Sequence, residues 1–201
     1  MTQTAERPTF EEDQLEDVEP PELDPEVAAR RAAALSRVRI FGDPVLRARA
    51  LPVERFDDEL RAEAARMAGI MHDALGVGLA ATQLGVMHRL LVYRVGADAP
   101  LAVLVNPRLE WVSDEVEPLE EGCLSLPGIH VDVERPVHVR VGALDDLGEE
   151  VLIEASGLEA RVIQHEIDHL DGVLILDRTS REERKAAMRE LREREEAGPA
   201  G

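Results

Sequence analysis

The stretch QHEIDHLDG, residues 164–172, places two histidines four positions apart, with a glutamate directly after the first. On a helix, positions i and i+4 share one face, so His165 and His169 can grip a single ion. Glu166 then stands beside that ion as a candidate general base. A catalytic site of this kind needs a third protein ligand and an open position for water. The two-histidine spacing does not choose among zinc-type peptidases and other hydrolases. One large class extends the pattern to H-E-x-x-H-x-x-G-x-x-H; here Gly172 is in place, but the final position holds Ile175. Another class takes a glutamate about twenty residues downstream, where Glu190 sits in a heavily charged segment. Cys123, the single cysteine, is the better candidate. Its other reading is a small buried apolar residue.

These residues need elements to hold them. Ser156 with Glu159 three residues later predicts a capping box, and Gly172 predicts a stop, so the histidines fall on one helix. Leu158, Val162, Ile163, Ile167 and Leu170 cover more than one side of it, which predicts burial. Polar groups on such a helix are costly unless partnered, and a metal ion is one such partner. Upstream, Leu60, Ala64, Met67, Met71 and Leu75 recur at helical spacing, predicting an amphipathic helix over 57–75 that ends at Gly76. Asp43 and Pro44 predict one short turn. Short strands are predicted at 89–95, 101–105, 137–143 and 150–154; their Pro/Gly-containing connections favour antiparallel pairing. The segment 180–197 reads as a charged helix with a solvated face.

The 201 residues suffice for one sizeable domain, and 44% hydrophobic content suits a globular core built on Leu, Val, Ile and Ala, since aromatics make up only 2%. A formal charge of −19 argues against a nucleic-acid surface built on net charge. Close to half of it comes from residues 1–26, which hold ten acidic residues against one basic residue, Arg7. That stretch predicts a disordered extension without chemistry, and its charged start is unlike a signal peptide. No apolar run reaches membrane-spanning length. A lone cysteine cannot form an intramolecular disulfide, which fits a cytoplasmic location.

Three segments share a further property. EGCLS (121–125) resembles the cysteine motif of peptide deformylases, GVGLAATQ (76–83) is similar to that family's glycine-rich motif, and QHEIDHLDG resembles its metal-binding helix. They occur in the family's order, GDPVLRARA is similar to its N-terminal segment, and the resemblance covers residues 37–178. The resemblance implies an α+β fold of antiparallel sheets packed around a buried central helix carrying the histidine motif. It divides the chain into an acidic extension (1–36), a catalytic domain (37–178) and a charged C-terminal helix and tail (179–201). It implies a metal held by Cys123, His165 and His169 with water in the fourth position. That ion is typically Fe2+, with zinc, nickel or cobalt able to take its place. The implied reaction removes the N-formyl group from the initiator methionine of new polypeptides, with N-formylmethionyl peptides as substrates. Glu166 is implied as the proton carrier, with the Gln83 side chain and the Leu124 backbone N–H as oxyanion donors. Val77, Gly78 and Val162 are implied to line the substrate site. Some members dock on the ribosome near the exit tunnel through a C-terminal helix. Here that helix carries six basic and six acidic residues, a weak basis for binding phosphates. The chain departs from many members at His130, where they carry arginine, which bears on peptide contacts beyond the methionine.

Overall fold

β2 (Leu90–Tyr93) is buried on both faces, which explains its uninterrupted apolar run LLVY. It lies inside a five-stranded antiparallel sheet ordered β1-β2-β3-β6-β7. The other strands are β1 (Gly78–Ala80), β3 (Ala102–Val112), β6 (His138–Leu144) and β7 (Glu150–Ser156). A separate antiparallel hairpin pairs β4 (Val116–Cys123) with β5 (Leu126–Pro136). Among the described residues four α-helices complete the fold: α1 (Pro25–Leu35), α2 (Asp58–Asp73), α3 (Gly157–Leu170) and α4 (Arg181–Ala197). The computed structural model describes residues 23–96 and 98–197.

Strand alternation sorts the core into layers. Leu90 and Val92 face one side, where α2 packs Leu60, Ala64, Met67, Ile70 and Met71 against them. Leu91 and Tyr93 face the other side, where α3 packs Ala160, Ile163, Ile167 and Leu170. A third cluster joins Leu126, Ile129, Val131 and Val133 of the hairpin to Leu174–Leu176 and Ala187 of α4.

Several expectations are met. α2 begins at the cap residue Asp57, whose side chain accepts from the Leu60 N–H. Asp43 caps the short turn Pro44–Arg47. The four expected strands exist, although β3 continues seven residues beyond its predicted end at 105, to Val112.

The differences have physical causes. The chain turns out of α2 at Leu75, with φ +59°, rather than at Gly76. The capping box does not form: Ser156 Oγ lies 2.8 Å from His138 Nδ1, and Glu159 accepts from the Tyr93 hydroxyl at 2.9 Å. Tertiary partners outcompete the local pair. Leu158, expected inside, is exposed and lines a cleft. Both hairpin strands lay outside the sequence expectation. β4 is mostly exposed and rich in glutamate, which hides it, whereas β5 alternates buried and exposed from Ile129 to Arg135, a legible pattern. α4 is not solvated all round, because Ala187 is buried and Met188 and Leu191 pack against the third cluster.

The N-terminal expectation needs correction too. Of residues 1–36, those numbered 1–22 lie outside the described residues, but Pro25–Leu35 form a helix. Asp24 accepts from the Glu26 N–H, Pro25 occupies the first turn, and five alanines favour the helix. Ala34 and Leu35 pack into the cluster beneath α2. Deleting the chain through Leu35 should therefore lower the melting temperature by about 4 °C, from loss of ~1–2 kcal/mol of apolar burial. An unchanged melting curve would show that α1 adds no stability.

Candidate metal centre and cleft

The β4–β5 hairpin and α3 bring the three sulfur and nitrogen donors together. Cys123 ends β4, and His165 and His169 project from one face of α3. His169 Nε2 lies 3.2 Å from Cys123 Sγ and 3.2 Å from His165 Nε2. Among the described residues these three form a group able to hold a metal ion, with ligand atoms within 4.8 Å of one another. Two imidazole nitrogens bound to one tetrahedral ion at the usual bond lengths stand about 3.3 Å apart, so the separation fits. A thiolate with two imidazoles suits iron, zinc, nickel or cobalt.

The electrostatics also favour a cation at this point. Burial opposes ionisation of the Cys123 thiol, but His169 and His165 outweigh it and hold the thiol well below its ordinary range. Burial likewise opposes charge on His165, yet its contacts with Cys123 and Glu121 push its pKa up to about 10.

Glu121 governs the orientation of His165. Its Oε2 lies 3.0 Å from His165 Nδ1, which fixes that nitrogen as the donor and leaves Nε2 as the atom that faces Cys123 and His169. Glu121 is itself clamped: Arg135 donates to both carboxylate oxygens at 2.6 and 2.9 Å, and Arg161 donates at 2.8 Å. Burial raises this carboxyl's pKa, but His165 and Arg135 overcome it and lower the pKa to about 2. Arg161 continues to the backbone carbonyls of Val133 (2.8 Å) and Glu117 (2.6 Å), tying α3 to both hairpin strands. Asp168 closes the network by accepting from Arg135 at 2.8 Å and from Arg178.

Glu166 is 4% exposed, and its Oε2 has no hydrogen-bond partner. Burial raises its pKa, against the pull of His165 and His169. Gly78 of β1 makes room for it, since a Cβ there would stand 2.4 Å from Glu166 Oε1. The glycine is therefore required by the carboxylate itself. Gln83 is buried; its Oε1 accepts from the Ala80 N–H at 2.9 Å, so its Nε2 turns toward Ser125 Oγ (3.2 Å) and Cys123 Sγ (3.9 Å). Ser125, fully buried, thus orients Gln83, a role its place in EGCLS did not reveal.

A cleft of about 490 Å³ opens onto this group. Val77, Gly78, Gln83, Leu124, Val162 and Glu166 all line it, with Cys123 and His165. His169 is 1% exposed and lies behind that lining. The structure therefore gathers the nine expected site residues, whereas Glu190, the other candidate third ligand, lies on α4 and pairs with Arg194. The residues to which the sequence assigned no role are Glu121, Ser125, Arg135, Arg161 and Asp168.

The chain matches the polypeptide deformylase family model over residues 35–185. It is 49% identical over 165 residues to a peptide deformylase of Acidothermus cellulolyticus, covering 82% of this chain and 90% of that one. Against a Thermotoga maritima peptide deformylase the identity is 47% over 155 residues, covering 77% and 93%. Among solved structures, a Synechococcus elongatus peptide deformylase in complex with actinonin superposes with TM-score 0.74 at 44% identity, covering 77% of this chain and 86% of that one. The Thermotoga maritima crystal structure gives TM-score 0.69 at 47% identity, covering 72% and 97%.

Glu121→Gln removes the counter-charge shared by two buried guanidinium groups and loosens His165. The expected cost is about 3–5 kcal/mol of stability and a 10- to 100-fold loss of metal affinity. Thermal melting and competition with a chromophoric chelator measure the two effects. A folded variant with wild-type affinity would overturn the orienting role of Glu121.

Proposed function

The chain belongs to the peptide deformylase family, metal-dependent hydrolases that remove the N-formyl group from newly made polypeptides, and we propose that Cys123, His165 and His169 hold its ion while Glu166 moves the proton. The observation that carries this reading is the convergence of the three donor atoms beside an unpartnered, buried carboxylate oxygen at the base of an open cleft. The H-E-x-x-H segment of α3 serves here as the metal motif. We place the catalytic unit at residues 37–178, with α1 and α4 packed onto it.

A metal ion in this setting supplies Lewis acidity, polarising the formyl carbonyl and making water nucleophilic near neutral pH. Glu166 takes the proton of the attacking water at Oε2 and passes it to the departing amine nitrogen, so formate and a free methionine amine result. Its raised pKa suits a group that must both accept and give a proton. Gln83 Nε2, aimed by Ala80 and Ser125, and the Leu124 N–H, next to Cys123 in the hairpin turn, stabilise the developing oxyanion. Val162, nearly buried, and Val77, half-exposed, line the methionine pocket, and Gly78 lets the substrate backbone pass close to Glu166.

We assign ferrous iron as the native ion. The thiolate–imidazole donor set supports it, and zinc, nickel or cobalt suit the same donors. N-formylmethionyl peptides are the substrates, which fits a cytoplasmic enzyme; among the described residues no helix is long and apolar enough to cross a membrane. Docking on the ribosome through α4 rests on resemblance, and its six basic against six acidic residues add no electrostatic support.

Glu166→Gln should retain the metal and lose about 10³-fold in kcat for formyl-Met-Ala. Near-wild-type turnover by the metal-loaded variant would remove Glu166 from its role. Cys123→Ala should lose metal and activity together, as measured by elemental analysis and formate release. Iron also makes a prediction about air: activity of anaerobically purified protein should decay on exposure, because both iron and thiolate are oxidisable, and nickel or cobalt substitution should protect it. Stable activity with stoichiometric zinc would defeat the iron assignment and leave the hydrolysis intact.

A further inference from the structure

α1 does more than add apolar contact to α2. Two of its residues, Arg31 and Leu35, line the same cleft as Val77, Gln83 and Glu166. The family model matches only from residue 35, so Arg31 is a feature of this chain outside the family's matched region. Leu35 is half-buried against the core beneath α2, which fixes the helix and turns Arg31 toward the cleft from its rim.

The charge inventory of the cleft gives Arg31 its significance. The other guanidinium in the lining, Arg161, is buried and spent on Glu121 and two backbone carbonyls. Glu121 is paired, and Glu166 lies at the base. Glu120 and His130 stand exposed on the β4–β5 hairpin. Arg31 is exposed and, among the described residues, makes no ion pair. A peptide entering with its methionine beside Val77 and Val162 must run its following residues along this lining. The cation available to them is Arg31.

We propose that Arg31 is a specificity-determining residue that favours formylmethionyl peptides with an acidic side chain shortly after the methionine. This rests on the deformylase reading and extends it to residues beyond the methionine. A guanidinium attracts a carboxylate and repels a lysine ammonium. At an exposed rim the preference is modest, about threefold in kcat/KM for Asp over Lys at the best position, and it is carried mainly by KM. Salt at 0.5 M should erase it, because exposed charges are screened.

The test uses the full-length, metal-loaded protein and formyl-Met tetrapeptide amides in which Asp, Lys or Ser is stepped through positions two to four. Wild type should prefer Asp over Lys, Arg31→Gln should flatten the ratio, and Arg31→Glu should invert it. Inversion is a readout that loss of helix packing cannot produce. Equal Asp/Lys ratios in wild type and Arg31→Glu at every position would overturn the proposal. Failure of wild type to release formate from the all-Ser peptide would instead sink the deformylase reading beneath it.

Discussion

The buried carboxylate of Glu121 is the interaction on which the site depends. It sets the tautomer of His165 and so decides which imidazole nitrogen faces Cys123 and His169. A lone buried carboxylate would be far too costly, and three donors from β5 and α3, two of them guanidinium groups, make it tolerable. Arg161 also holds the helix to the hairpin through the backbone carbonyls of Val133 and Glu117, and Arg135 does so through Asp168, so the site and the tertiary assembly share one set of hydrogen bonds. That coupling brings Cys123, on a hairpin outside the main sheet, to the histidines of α3.

Steric fit around the donors follows the same economy. Gly78 is bare because the Glu166 carboxylate fills the space a Cβ would need. At Gly122 a Cβ would stand 2.9 Å from the His130 ring, which lies across the hairpin and lines the cleft. The motif glycines thus record the positions of neighbouring side chains.

α1 and α4 both pack onto the rest of the fold through an apolar seam on one face of the helix. α1 brings Arg31 to the rim. α4 seats Ala187 against β5, and its Arg194 donates to the carbonyls of Pro127 and Gly128, both in the cleft lining, at 3.4 and 3.3 Å. Segments rich in charge in the sequence therefore help to shape the cleft and its supports.

What the sequence determined by itself was the chemistry and its local carriers. Histidines four apart are neighbours on any helix, and α2 and the apolar strand β2 were legible because their periodicity is local. The polar strand β4 was not legible, because its pairing with β5 stabilises it and its own residues do not advertise a buried face. The capping residues Ser156 and Glu159 were misread for a related reason: His138 and Tyr93, distant in sequence, claim their side chains. The partners of Glu121 come from positions 135, 161 and 165, and no spacing rule joins them. Only the tertiary structure decided which buried charges would meet, because electrostatic pairing depends on distance in space and on exclusion of water. It also decided that an alanine-rich segment next to an acidic stretch would fold onto α2 and place Arg31 at the cleft, since a short helix is marginal until a packed face holds it.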